Sequence, residues 1–333
     1  MALYRTIPAP RVRSLTWVGD TLVDWARGGT RYSLDGTIEA PSWHLGYRFD
    51  ASTSTPDGEW AVVYERCGTK GLLLRNGEIV RELNRSYYMA DVFEYPVALW
   101  YGPGDRLLLA HCPDRYDRLE IDDAKTGERL TRCEDRLSPE VFHSRLQASP
   151  DGRMLLSAGW VWYPWDVVHV FDVATALDDP THLDELTPLG TADETVHESS
   201  ACWQSGQRLL IGGGLGTPAP RRTARPQLGP RGIAVHDVDA ARLVADLRLR
   251  LPAGRMMPVG DEHVLCLHHH PRLVSLETGA LVHAWPEIPT GREVGSVVRG
   301  LEIYPIALDP ERGRVAVARD DTITVLDASP WCE

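Results

Sequence analysis

Seven times along this chain a short apolar strand runs into a glycine-bearing turn, most often with aspartate or proline, and a second apolar strand follows at once. The fullest copy is LQASPDGRMLLSAGWVWYPWDVVHVFDVATA, from Leu146 to Ala176. It reads as a strand, a Ser-Pro-Asp-Gly turn, a second strand from Met154 to Ser157, a tryptophan-rich loop and a third strand from Val167 to Phe171. A polar turn opens at Asp172. A unit of this size cannot bury its own apolar face, so copies must stack on one another. Repetition therefore constrains the fold before any other property of the chain.

Aligned on the first residue of the second strand, the copies begin at Leu22, Trp60, Leu107, Met154, Leu209, Val264 and Val315. The interval of roughly 40–55 residues, with four strands per unit, is the signature of a propeller blade. Each anchor follows a corner such as Pro56-Asp57-Gly58 or Pro150-Asp151-Gly152, where proline pre-sets φ and glycine accepts φ > 0. Third strands follow, among them Leu72 to Leu74, Val168 to Val170 and Ile323 to Val325, and then tight turns such as Asp35-Gly36 and Asn76-Gly77. The expected fold is all-β, a seven-bladed propeller of four-stranded blades forming one domain. The blades are expected at residues 11–40, 47–84, 95–133, 143–187, 197–247, 254–285 and 302–328. The last unit ends one strand short, while residues 2–7 precede the first with nothing to pair with. These residues are expected to supply the missing strand and close the ring, removing an edge that would invite aggregation.

SPDGR at Ser149 to Arg153 and VFDVAT at Val170 to Thr175 resemble the repeats of bacterial propellers of the WD40 or YVTN-like kind. Weaker copies stand at Asp122 to Gly127, Val235 to Asp239 and Val325 to Ala328. The resemblance is one of fold. The Trp-Asp slot of WD40 repeats holds Phe171-Asp172, His236-Asp237 and Leu326-Asp327 here, and the Gly-His dipeptide is missing.

A net charge of −12 argues against non-specific nucleic-acid binding, which draws its affinity from neutralised phosphates. Of 35 basic residues only Lys70 and Lys125 are lysines, which reads as codon bias rather than selection for anion binding. The 6 cysteines include no Cys-x-x-Cys pair, so no zinc knuckle or thioredoxin-type motif is present. The first residues hold no apolar run of signal-peptide length, and no stretch reaches the ~18 apolar residues of a membrane span. A cytoplasmic protein without membrane attachment is expected.

Blade polarity sorts the loops onto two faces. Loops between second and third strands share one face with the connections between blades, and these are the long ones. Binding concentrates on such loops. GWVWYPWD, Gly159 to Asp166, places Trp160, Trp162, Tyr163 and Trp165 there, rings suited to recognition unless they pack down as a local core. The stretch from Gly212 to Gly232 is rich in glycine, proline and arginine. It lacks a phosphate-loop motif and reads as a lid, a tether or a disordered loop. His268-His269-His270 reads as an exposed turn in which at most two imidazoles converge.

Polar residues entering the first strands are expected near the central channel: Glu94, Tyr95, His143, Arg145, His197, Glu198, Arg255, Glu302 and Tyr304. Lactonase-like propellers gather such groups around a metal or a substrate, and that resemblance implies a location only. Two functions follow. The first is a binding or scaffold module that recognises a protein or small-molecule partner without a cofactor, through Trp160, Trp162, Tyr163, Trp165, Tyr95, Arg145, Arg255 and Tyr304. The alternative is a small-molecule enzyme, with His143, His197, Glu94, Glu198 and Glu302 as acid–base groups. In that reading His143, His197 and Glu198 hold a divalent metal ion. No Gly-x-Ser-x-Gly elbow supports nucleophilic catalysis.

Overall fold

A computed structural model of the chain describes residues 3–41, 44–162, 165–186, 189, 196–215 and 227–332. Seven small antiparallel sheets form a ring, a seven-bladed propeller as the repeat requires. The second strands start at the expected anchors or one residue earlier: Thr21–Asp24, Trp60–Tyr64, Leu107–His111, Met154–Val161, Arg208–Gly213, His263–Cys266 and Arg314–Arg319. First strands of adjacent blades touch around the centre, for example Thr16–Val18 against Ile306–Asp309 and Glu198–Trp203 against Met256–Val259.

The Pro-Asp-Gly corners explain why the motif recurs. Ser149 Oγ donates to Asp151 Oδ1 (2.5 Å) and accepts from Met154 N (2.9 Å). Thr55 does the same with Asp57 Oδ1 (2.5 Å) and Trp60 N (3.1 Å). At Gly152 φ is +69°, and a Cβ would lie 2.3 Å from the Tyr101 carbonyl oxygen of the neighbouring blade. The close approach lets Trp100 Nε1 donate to Gly152 O (3.2 Å), while Trp203 Nε1 donates to Gln147 O (3.2 Å). Both tryptophans thus lock one blade to the next.

Closure is as expected, shifted slightly along the chain. Tyr4–Pro8 pairs antiparallel with Thr322–Asp327, with Ile7 opposite Ile323, and forms the outer edge of the seventh blade. Ile7 is buried in the apolar layer between blades 7 and 1, with Leu22, Tyr32, Ala316 and Val325.

Two blades depart from four strands. Blade 3, Val97–Tyr101, Leu107–His111 and Glu120–Asp123, has three, and residues 128–131 make only a partial fourth edge. There Leu130 N donates to Ile121 O (2.9 Å). Among the described residues blade 4 also has three strands, Gln147–Ala148, Met154–Val161 and Trp165–Asp172. A helix, α1, at Val173–Asp178, and a 3-10 turn at Pro180–Asp184 take the place of its outer strand. Asp172 caps α1 through Thr175 N (2.8 Å), and Ala176 and Leu183 bury into the blade 3–4 core. Arg136, with a fully buried side chain, fastens this element by a two-pronged bond to Asp184 (2.7 and 3.0 Å) and lies 3.2 Å from Glu120.

The second hairpin of blade 4 is longer than the sequence reading allowed. Gly159 to Val161 and Trp165-Asp166 are strand rather than loop, because tryptophan and valine suit a pleated surface and extend the ladder. All six cysteines are free. Among the described residues no helix is long and apolar enough to cross a membrane.

Candidate functional site

The inter-blade connections build a second, smaller core on top of the ring. Phe142 is its hub: it stacks on Trp160 (centroids 3.9 Å, planes 7° apart) and on Tyr116 (4.3 Å), and meets Trp162 edge-on at 5.4 Å. Phe93 and Val92 complete the buried part. Arg85 fixes the connection that carries them, donating to Gly68 O (2.7 Å), Ala90 O (2.6 Å) and Phe93 O (3.0 Å). On this base three rings reach solvent: Tyr87 is 86% exposed, Tyr88 47% and Trp162 43%. Tyr88 packs on Tyr116 (5.0 Å) and Trp162 (6.1 Å). An open groove of about 800 Å³ runs beside them, lined by Arg85, Tyr87, Tyr88, Met89, Pro113 and Asp114.

Next to this core is a charged cluster. Glu94 is buried; its Oε1 accepts from Tyr64 Oη (3.1 Å) and Arg66 Nη1 (2.9 Å). Its Oε2 faces Arg255 Nη2 at 4.0 Å, and the same nitrogen lies 3.5 Å from Glu293 Oε2. Burial pushes the Glu94 carboxyl up, but Arg66, Arg255, the Tyr64 hydroxyl and Arg145 outweigh it and hold the group below its ordinary range. Arg145, at φ +47°, donates to Ala158 O (2.9 Å) and Ser199 O (2.8 Å), bridging blades 4 and 5.

The connection 285–305, from blade 6 to blade 7, crosses this face as a strap. Val297 pairs with Phe93, and Val298 N donates to Val92 O (2.9 Å). Ser296 donates from its backbone (2.8 Å) and its hydroxyl to Asp166 Oδ1 of blade 4. A Cβ at Gly295 would lie 2.2 Å from Asp166 Oδ2, so a side chain there would push aside the carboxylate that Ser296 holds.

The residues expected from sequence separate into distinct environments. Glu94, Arg255 and Arg145 meet in the charged cluster. Trp162 is exposed, while Trp160 and Tyr95 are 1% exposed and support the surface from below rather than touching solvent. Tyr163 lies outside the described residues, as does most of the Gly212 to Gly232 stretch. Trp165 stacks on His197 at 4.0 Å. His143 is fully buried, bonded to Ser157 Oγ (3.0 Å), and burial beside His169 and Arg136 pushes it down to about 3. Glu302 and Tyr304 line a separate cavity of about 490 Å³ with His269 and Arg292.

His197 and Glu198 cap the outer edge of blade 4, where Trp165–Asp172 pairs with no further strand among the described residues. Along this edge Asp166 N donates to His197 Nδ1 (3.4 Å), Val168 N to Glu198 Oε2 (2.8 Å) and Asp172 N to His182 Nε2 (3.2 Å). Side chains thus satisfy alternate N–H groups that a strand would otherwise take. Burial pushes Glu198 up to about 7. Among the described residues no three His, Cys, Asp or Glu side chains are grouped to hold a metal ion, and His143 points into the blade rather than toward His197 and Glu198.

Sequence reasoning missed Tyr64, Arg66, Tyr88, Tyr116, Phe142 and the strap. The length of the connection between Ala284 and Ile306 was the one available signal.

This is a seven-bladed propeller of the WD40-like fold with an aromatic and charged loop face. The chain is similar to a chain of a crystallised mitotic checkpoint complex at 14% identity, with 97% of this chain and 94% of that one covered and a TM-score of 0.62. It is also similar to a chain of Kuenenia stuttgartiensis hydrazine synthase (15%, 96% and 96%, 0.61). The β-propeller domain of Myceliophteria thermophila Cps50 (Swd1) gives 14%, 97% and 98%, and 0.58. At these identities the likeness is one of fold. No protein-family model and no curated protein sequence matches the chain.

Proposed function

We propose that the protein is a binding scaffold that docks a protein partner on its loop face, with Tyr87, Tyr88 and Trp162 as anchors. The observation that carries this reading is the contrast between floor and surface. Phe142, Trp160 and Phe93 are buried in a stacked base, and the three rings above them stay exposed beside an open groove. Aromatic side chains held rigid lose little entropy on binding and dominate interface energetics. One of the similar structures comes from a mitotic checkpoint complex, which supports a scaffold reading.

The test is quantitative capture with cross-linking from the native cell extract, using the wild type, Tyr88→Ser/Trp162→Ser and a control. The control, Glu59→Ala/Arg75→Ala, removes an exposed ion pair at the opposite, corner-bearing face. Partners recovered by the wild type and the control are expected to fall about tenfold or more with the aromatic variant. Undiminished recovery with the aromatic variant refutes the reading.

A further inference from the structure

We propose that the cavity of about 440 Å³ between the strap and blades 1 and 2 binds a small organic anion, a carboxylate or phosphate carried on an apolar body. Its volume falls in the usual range for small-molecule sites, roughly 300–1,000 Å³. One side is apolar: Val12, Val298, Leu301, Ile303 and Pro305. Its polar lining residues are Arg13, Arg66 and Arg299, with Asp50 and Asp91.

The arginines are not used up by their neighbours. Arg66 gives Nη1 to Glu94 (2.9 Å), while its Nε and Nη2 have no partner among the described residues. The Arg13 side chain has none either; its backbone N–H alone is engaged, on Asp24. Arg299 is paired with Asp91 (2.9 Å), which neutralises that carboxylate. Asp50 accepts from Arg66 N (2.7 Å), and burial opposes its charge. The lining thus holds three guanidinium groups against two carboxyls, one net positive charge among its side chains on a protein of net charge −12. Planar guanidinium groups match carboxylate and phosphate oxygens in pairs.

Cys67 also lines the cavity, but burial pushes its thiol up to about 11, so it meets the ligand as a neutral group. Gly300 and Leu301 of the strap line this cavity on one side and the His269–Tyr304 cavity on the other. A bound anion would hold the strap in place. This site and the aromatic docking surface stand on different residues, so either reading can fail without the other.

Isothermal titration of the full chain with phenylacetate, phenyl phosphate, phenylacetamide and phenethylamine tests the inference. The two anions are expected to bind saturably, the neutral amide and the cation not. Raising ionic strength from about 0.05 to about 0.5 M should weaken the anions several-fold. Arg13→Gln, at an exposed position that leaves folding intact, should weaken them about tenfold, and Arg115→Gln in blade 3 should change nothing. Absence of saturable binding of either anion up to about 20 mM overturns the proposal. So does equal binding of phenylacetamide, or wild-type affinity in both Arg13→Gln and Arg299→Gln.

Discussion

Ring closure rests on one side chain more than on the strand that carries it, and Ile7→Ala measures this. Ile7 is 5% exposed, faces Ile323 across the ladder and packs on Leu22 and Tyr32 of blade 1. Truncating it removes three carbons from a layer fixed on both sides by sheets, which cannot collapse into the void. Such Ile→Ala changes cost about 2–5 kcal/mol, and the rigid surroundings favour about 3. At roughly 2 cal/mol/K per residue, a chain of 333 residues has an unfolding entropy of about 0.7 kcal/mol/K, so Tm should fall by about 4 °C. Arg5 lies on the same strand opposite Val325 and is exposed, so Arg5→Ala should move stability by less than about 0.5 kcal/mol. Calorimetry and urea titration read both variants. Deleting residues 1–8 should go further, baring the Thr322–Asp327 edge and raising light scattering on heating. Equal effects of Ile7→Ala and Arg5→Ala would refute the view that this packing layer holds the ring shut.

Four other outcomes are expected. Glu198, raised from its ordinary 4.5 to about 7, keeps its proton longer when folded, so its contribution is present at low pH and is lost as pH rises from 4.5 to 7. Glu198→Gln should therefore match the wild type near pH 5 and exceed it by a few kcal/mol near pH 8, in urea titrations at the two pH values. His143 and His169, pushed from 6.5 down to about 3 and about 4 by burial, act in the opposite direction: their contribution is present above pH 6.5 and is lost as pH falls. His169 leaves both ring nitrogens without partners, so His169→Leu should flatten that acid limb without loss of stability near pH 8. Arg136→Met should cost about 3 kcal/mol by stranding Asp184 in the interior, while Glu120 keeps Arg118 and Thr131, against at most about 1 for the exposed Arg115. Asp166→Ala should release the strap, seen as faster amide exchange at residues 295–299 with blade exchange unchanged.

What could be read from the sequence was whatever local rules decide. A Ser/Thr-Pro-Asp-Gly corner forms through its own side chains, as Ser149 and Asp151 show, so the second strands were located within a residue. The unpaired strand at each end of the chain likewise implied closure. Partnerships across blades follow no such rule. Glu94 was singled out, yet Tyr64 and Arg66 meet it only because blade 2 leans on the connection to blade 3. His197 and Glu198, adjacent in sequence, would face opposite sides of a regular strand. A register shift between Glu198 and Ser200 disturbs that alternation, and both serve one edge. Among the described residues the outer edge of blade 4 is a helix and a 3-10 turn, and Asp172 at the end of its last strand reads equally as a turn and as a helix cap.

The same division explains why the loop face carries the functional proposals. Parts of the connections, such as Phe49, Tyr95 and Ile288, join the core between the blades, and the rest lies above it. A long connection of aromatic residues would normally collapse onto any apolar surface it finds. Here it finds its own kind: Phe142 between Trp160 and Tyr116 makes a base separate from the apolar clusters between the blades. Because that base is already packed, Tyr88 and Trp162 have nowhere deeper to go and are held outward. Exposure of these rings follows from saturation of the layer below, so cutting the base should act at a distance. Phe142→Ala should let Trp162 sink and blue-shift its emission while the blades stay folded, whereas a surface held up by the loop backbone alone would leave the emission where it was.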